Sequence, residues 1–535
     1  MLQLNFEGLE NREAWAKADV QLPSFNPKAL RDETADKPRW IHIGPGNLFR
    51  GYIAVLAQEL IEEGHLDTGI VVVSPTGPST PESQYWPFDN LALQVKMFAD
   101  GRLEKTVVGS VVRAMDGQKK EDIADLRGMF ENPDLQMLSF TITEKGYQVR
   151  GLDGDFQQGA KDDILAGPKA DQYNNVMSLV ASMLYRRYET VKKPIAVVSM
   201  DNFSHNGDKL RESVVSIASE WKEKDLVDQA FLDWLQDDKE VAFPWSVIDK
   251  ITPGPDARVA EQLLEDGLAV GKMGKTRRGA PAAGFVNTEA AEYLVIEDRF
   301  PNGRPKLEAS GIHMTDQETV DKFERMKVCS CLNPLHTAMS VVGCLLGYEK
   351  ISEEMADEDI VKLIKGIGYT ESLPYVADPG IVEPKAFLDT VMEERLPNPY
   401  MPDTPQRIAT DTSQKVGIRF GETIKLYVEH GEVDKLKFIP LAIASWLRYL
   451  IGMDNEGNAF EVSSDPLLED LQAYLEGLSL GGEIDTAKLD PILKNKDLFR
   501  NDLLEIGLGD QIKGYFVEMM EGPGSFRKTL NKYVN

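Results

Sequence analysis

The ten residues KVCSCLNPLH, 327–336, bring a lysine, two cysteines, an asparagine and a histidine close together along the chain. Two chemistries fit those types. Thiolates and an imidazole hold metals; a lysine beside an amide and an imidazole moves protons at an oxygen. For zinc, Cys329, Cys331 and His336 supply three ligands, whereas structural sites use four, usually with paired C-x₂₋₄-C spacing. The one remaining cysteine, Cys344, gives no second pair. Apolar neighbours favour packed thiols, so no metal is expected. For proton transfer, a partly desolvated lysine acts as a base near neutral pH. Asn333 offers an amide donor to a developing alkoxide, and His336 lies about one helical turn further on. Composition alone favours reading Lys327 as a surface lysine.

These residues need a frame. A chain of 535 residues is too long for one ordinary core, so two domains or more are expected. It is 42% hydrophobic and 27% charged, as globular proteins are. A formal charge of −28 argues against a nucleic-acid partner, which requires clustered Lys and Arg. The first residues lack the basic and apolar regions of a secretory signal, and no apolar stretch reaches the length of a membrane span. With three cysteines too few for a disulfide framework, a cytoplasmic protein without a membrane partner is expected.

The first half alternates apolar β-type runs with amphipathic helical ones. RWIHIG (39–44), GIVVVS (69–74), LQMLSFTIT (135–143) and KPIAVVSMDN (193–202) read as strands, with helices at 47–64 and about 173–188. Near-continuous apolar strands separated by helices predict a parallel sheet covered on both faces. Beyond about residue 318 the spacing turns helical, over 335–348, 354–366, 383–394, 412–428, 435–452, 465–475 and 511–532. The fold class is therefore an α/β Rossmann-type N-terminal domain, residues 1–290, with a mostly α-helical C-terminal domain, residues 291–535. KVCSCLNPLH lies just beyond that boundary, where clefts form.

HIGPGNLFRG (42–51) follows the first strand and opens a helix. Gly44 and Gly46 permit a tight turn and close backbone approach, and the helix start offers free N–H groups to a pyrophosphate. The pattern is G-x-G-x-x-x-R rather than the full dinucleotide fingerprint. Gly44, Gly46, Asn47, Phe49 and Arg50 are the candidate cofactor residues here. The second strand runs into SPTGPSTPE (74–82) without the acid that commonly binds the adenosine ribose. Ser74 remains as a contact, no basic cluster follows, and the cofactor is read as NAD with NADP not excluded. TITEKGY (141–147) and SMDN (199–202) end strands, where loops meet the ligand of a parallel sheet; Thr143 and Glu144 join the cofactor candidates.

Seven ordered stretches together resemble one family: HIGPGNLFRG, TITEKGY, VVSMDNFSHNG, FPWSVIDKITP, YLVIEDRFPNGRP, ERMKVCSCLNPLHTA and RIATDTSQK. They are similar to the long-chain polyol and hexuronate dehydrogenases, whose members act on mannitol, fructuronate or tagaturonate. The resemblance runs from about residue 22 to at least 450. It implies zinc-independent hydride transfer with a nicotinamide, Lys327 as general acid/base, Asn202 and Asn333 stabilising the alkoxide, and His336 orienting the reacting oxygen. Asp249, Arg407 and Lys415 then contact the substrate's other oxygens, with Lys145 a further cation for a carboxylate.

One departure stands out. The family reads Lys-x₄-Asn-x₂-His, whereas here it is Lys327-x₅-Asn333-x₂-His336. On a regular helix the family spacing puts Asn and His at about 140° and 80° from the lysine, and the present spacing at about 240° and 180°. A π-bulge within 327–333, or a break forced by Pro334, is expected to absorb the extra residue. The expected activity is interconversion of a keto-sugar acid with its hydroxy acid by a monomer or small homo-oligomer. The alternatives are fructose/mannitol chemistry and a nucleotide-binding sensor without turnover.

Overall fold

The computed structural model describes residues 1–535, and the chain forms two compact units: 1–98 with 102–321, and 99–101 with 322–535.

The first unit is built on six parallel strands: β1 Trp40–Ile43, β2 Ile70–Ser74, β3 Val111–Asp116, β4 Met137–Phe140, β5 Ile195–Ser199 and β6 Val241–Ala242. Their order is β3-β2-β1-β4-β5-β6 and every pairing is parallel. This is the dinucleotide-binding order, with its topological switch point between β1 and β4. Alternate residues feed two cores. Ile41, Ile43, Val71, Val73, Leu138 and Phe140 face helices α2 (Lys120–Phe130), α3 (Val176–Thr190) and α4 (Asn206–Glu223). Trp40, Ile70, Val72 and Met137 face α1 (Ala54–Glu62) on the other side. Burial on both faces explains why these strands read as continuous apolar runs.

Arg187 near the end of α3 is fully buried and paired to backbone alone. Its fork donates to the carbonyls of Lys193 (2.6 Å), Phe130 (3.1 Å), Asn132 (2.9 Å), Leu135 (3.0 Å) and Pro194 (3.1 Å). It thus joins the end of α2, the loop into β4 and the entry to β5, three irregular segments whose carbonyls have no ladder.

The expected boundary at residue 290 falls short. Strand 293–297 pairs antiparallel with 246–249 and parallel with 313–315, so the chain stays with the first unit until Asp321. A second sheet, of strands 20–21, 103–108, 92–97 and 285–289, completes this unit.

The second unit is helical. Its buried elements are α5 (Asn333–Leu346) and α6 (Phe438–Tyr449), which pack together. Glu371 binds the amides of Lys437 (2.5 Å), Phe438 (2.7 Å) and Ile439 (2.7 Å) at the start of α6, and burial pushes its carboxyl up to about 7. The single helix expected over 511–532 is two, Gly509–Met519 and Ser525–Val534, because Gly522-Pro523-Gly524 interrupts it and Gly524 takes φ +80. The helical run 317–346 has the length and apolarity of a membrane span, but 83% of its most apolar window is buried, as in a core helix.

Arg187→Met keeps the apolar stem and removes a donor from five carbonyls, of which Leu135 O retains Asn302 Nδ2 and Asn132 O the Leu135 amide. It should destabilise the protein by about 3 kcal/mol or more, seen as a lower urea midpoint. A midpoint equal to wild type would remove the arginine from this role.

Candidate active site

In the first unit the nucleotide half forms at the switch point. Gly44 follows β1 with φ +116, and a Cβ there would lie 2.1 Å from the Thr141 carbonyl oxygen after β4. Only glycine fits. Around Gly46 nothing lies within 4 Å of a Cβ, which leaves the turn open above the start of the helix. Residues 49–53 are π-helical before α1 begins. Phe49 is buried and stacks on His42 at 4.2 Å. His42 contacts Ser139 Oγ (2.7 Å) and Thr141 Oγ1 (2.9 Å), and burial pushes its pKa down to about 3, so the ring is neutral. Asn47 donates to the Pro253 carbonyl at 3.1 Å.

Arg50 does not face this opening. It is buried, and its fork binds Gln84 Oε1 (2.6 Å) and the carbonyls of Ala283 and Gly284 (both 3.0 Å). The side chain braces the fold from within, which replaces its expected role as a cofactor contact.

The loop after β4 is held by a residue the sequence reading passed over. Asp201 accepts the amides of Ile142 (2.8 Å) and Thr143 (2.9 Å) and the Tyr147 hydroxyl (2.7 Å). Burial raises its pKa, and those hydrogen bonds oppose the rise. Thr143, β-branched, is held at φ +65, a conformation maintained only by its surroundings. Glu144 and Lys145 are exposed on the short turn that follows. The turn after β5 is braced by Asn206, which donates to Ser246 O (3.0 Å) and Asp201 O (3.1 Å) and accepts the Ser246 amide. Asn202 is exposed on this turn, and Asp249 is buried at the end of strand 246–249. A signal for Asp201 was present: an acid directly beside the candidate Asn202, at a strand end.

After β2, Ser74 donates to Gly77 O at 2.6 Å, and no acid follows the strand. A basic residue does arrive there, contrary to expectation. Arg278, from the hairpin joining Gly274–Lys275 and Pro281–Ala282, donates to Thr76 O at 2.9 Å. Some two hundred residues separate the two, so spacing alone could not reveal the contact.

In the second unit the KVCSCLNPLH stretch has the expected irregularity. Residues Met326–Cys331 form a π-helical turn, closed by the Leu332 amide on the Lys327 carbonyl at 3.1 Å. That i→i+5 bond takes up one residue, and Leu332 leaves helical geometry (φ −124, ψ −62) before the next helix begins. Helix α5 restarts at Asn333, with Pro334 in its first turn, where a missing N–H leaves no bond unmade. Thr423 Oγ1 donates to Cys329 O at 3.3 Å, pairing a carbonyl of the widened turn. Lys327 is buried and His336 half-buried.

Arg407 is exposed and ion-paired with Asp403, while Lys415 donates to the carbonyls of Ile408 (3.2 Å) and Thr410. Arg419, four residues after Lys415, was missed. It donates to Thr337 Oγ1 at 2.5 Å, beside His336. An i, i+4 pair of cations was its available signal. None of the three cysteines is in a disulfide and all are buried, and burial pushes the thiols of Cys331 and Cys344 up to about 12. They are packing groups rather than thiolates.

A parallel sheet in this order, with a glycine turn open at its switch point, defines a dinucleotide-binding class of α/β domain. Residues 38–309 match the mannitol dehydrogenase Rossmann domain and residues 319–514 the mannitol dehydrogenase C-terminal domain. The chain is 47% identical over 539 residues to the D-mannonate oxidoreductase of Thermotoga maritima, covering 100% of this chain and 99% of that one. It is 27% identical to the D-mannonate oxidoreductase of Escherichia coli, over 85% of this chain and 88% of that protein. Among solved structures, a D-sorbitol dehydrogenase in substrate-free form superposes with a TM-score of 0.78 at 25% identity, over 96% of this chain and 97% of that one. Mannitol 2-dehydrogenase of Pseudomonas fluorescens, in ternary complex with NAD and D-mannitol, has the same fold, with a TM-score of 0.65 at 24% identity and 96% of each chain covered. The chain belongs to the mannitol dehydrogenase family and is an NAD(P)-dependent dehydrogenase.

Asp201→Asn leaves one acceptor oxygen where two amides and a phenol now bind. It is expected to weaken NAD(P)H binding about 5–30-fold, measured by nucleotide fluorescence titration. Unchanged affinity would show that the 141–147 loop does not need the pin.

Proposed function

We propose that the enzyme interconverts a keto-hexuronate and its hydroxy acid, of the fructuronate/mannonate or tagaturonate/altronate type, without a metal. The observation that carries this is the 47% identity, over the full length, to a D-mannonate oxidoreductase. The net charge of −28 further supports a small-molecule substrate with no nucleic-acid partner.

The open turn at Gly44–Gly46 and the main chain at Thr143 fit a nicotinamide dinucleotide, which when bound supplies or accepts the hydride. Lys327 carries the proton. In reduction its ammonium protonates the oxygen of the former carbonyl and is then reprotonated from solvent; in oxidation the neutral amine removes the hydroxyl proton. Within the second unit Asn333 donates a hydrogen bond to that oxygen as charge develops, and His336 orients it. Arg407 and Lys415 bind the remaining oxygens.

The cofactor is proposed to be NADP(H) as well as NAD(H). A strand end without an acid, reached by an arginine, is the arrangement that accommodates a 2′-phosphate. Arg278→Ala should raise the KM for NADPH about tenfold, the loss of one charge-assisted contact, and leave that for NADH unchanged. Equal effects on both would assign Arg278 to loop structure.

The deciding assay follows oxidation of NADH and NADPH with a chelator present, against fructuronate, tagaturonate and fructose. Turnover of a keto-uronate surviving the chelator supports the proposal. Turnover of fructose alone would favour the polyol reading, to which the likeness to the sorbitol enzyme lends support. Lys327→Ala should lower kcat by a factor of about 10² or more while nucleotide binding persists. Near-full activity would remove the lysine from its role.

A further inference from the structure

Three of the buried arginines follow one pattern. Arg187 saturates its fork on five carbonyls, Arg50 binds two carbonyls and Gln84, and Arg448 donates to Met453 O (2.7 Å) and Asp454 O (3.0 Å). Arg419 departs from it. Its one hydrogen bond is to Thr337 Oγ1, and no carboxylate lies within ion-pair distance. Of five possible N–H donors, the rest are not sealed in: none of its nitrogens is both buried and unpartnered, unlike the Nε atoms of Arg50 and Arg448. Its unused donors therefore keep some exposure.

The surroundings are cationic. Lys415 and Arg419 repel one another, Arg407 adds to the field at Lys415, and Asp411 and Asp465 partly offset it. Burial pushes the Arg419 guanidinium down to about 10 and lowers the Lys415 ammonium. Asp465 is itself engaged by the Ser413 amide and hydroxyl and by the Leu467 amide at 3.0 Å. Arg419 sits on another π-helical turn, Gly417–Gly421, which packs directly on the turn that carries Lys327. Its one protein partner, Thr337, follows His336 on α5. A desolvated guanidinium with open donors and no anion is an incomplete ion pair.

We propose that Arg419 binds the carboxylate of the substrate, making it the residue that selects a sugar acid over a polyol. The inference rests on the hexuronate reading above. A planar fork receives a carboxylate through two parallel N–H···O bonds, which a terminal hydroxymethyl group cannot replace. Thr337 Oγ1 fixes one edge of the guanidinium, and Lys415 adds a second positive charge near the same anion.

The test uses the full-length enzyme in fructuronate reduction, with mannonate and mannitol as competitive inhibitors. Arg419→Met keeps the stem and removes the fork. It should raise the fructuronate KM and the mannonate Ki about 10- to 100-fold, the worth of a charge-assisted pair, with the mannitol Ki and NADH affinity within about twofold of wild type. Arg419→Lys, which keeps the charge and perturbs the packing least, should fall between; it serves alone if the methionine variant does not fold. An unchanged fructuronate KM overturns the assignment. So does an equal rise for mannitol, which would mean a general structural role. Wild-type enzyme that turns over no keto-uronate overturns the hexuronate reading and this inference with it, and that outcome is read before any variant is made.

Discussion

A backbone that leaves regular hydrogen bonding inside a protein must find other partners for its N–H and C=O groups, and this molecule meets that demand with single charged side chains. Arg187 gathers five carbonyls at the amino edge of the parallel sheet. Asp201 gathers two amides and a phenol at the carboxyl edge. Glu371 caps the start of α6. In each case a charge is buried because several dipoles converge on it, and loops that would otherwise fray are held to the core. The strained φ of Thr143 persists on the same basis, since its amide is fixed by Asp201 from the adjacent strand end.

The second unit solves a different problem. A helix of fixed period cannot take one more residue and keep the same faces together, so the chain widens one turn. The π-helical turn at 326–331 takes up the residue, Thr423 pairs a carbonyl of that turn, and α5 restarts with proline in its first turn. The turn at 417–421 packs against it and carries Arg419. Two irregular turns in contact place a buried lysine and a desolvated arginine on neighbouring backbone without lengthening either helix. Where Arg187 is satisfied by the fold, Arg419 is not, and that difference separates a structural cation from one suited to a ligand.

The nucleotide half shows how a shared architecture leaves room for variation. The strand order and the glycine turn at the switch point belong to the sheet itself, because close approach of Gly44 to Thr141 admits no side chain. The end of β2 is less constrained. There the acid is absent and an arginine reaches in from a hairpin about two hundred residues away.

The amino-acid sequence by itself determined the parallel sheet, the helical second unit, the glycine turn and the need for an irregularity between Lys327 and Asn333. Apolar periodicity, turn chemistry and helical period are local properties, legible over a few residues. It also held local signals that were passed over: Asp201 beside Asn202, Arg419 four residues after Lys415, and the Gly-Pro-Gly break at 522–524. Tertiary structure alone decided which charges are consumed by the fold and which remain open. Arg50 is indistinguishable from a phosphate ligand until its fork is seen on Gln84 and the carbonyls at 283–284. Arg278 is an ordinary loop arginine until the hairpin brings it to Thr76. The domain boundary, too, lay in the pairing of strand 293–297 with 246–249, since a strand's allegiance depends on its partner rather than its own composition.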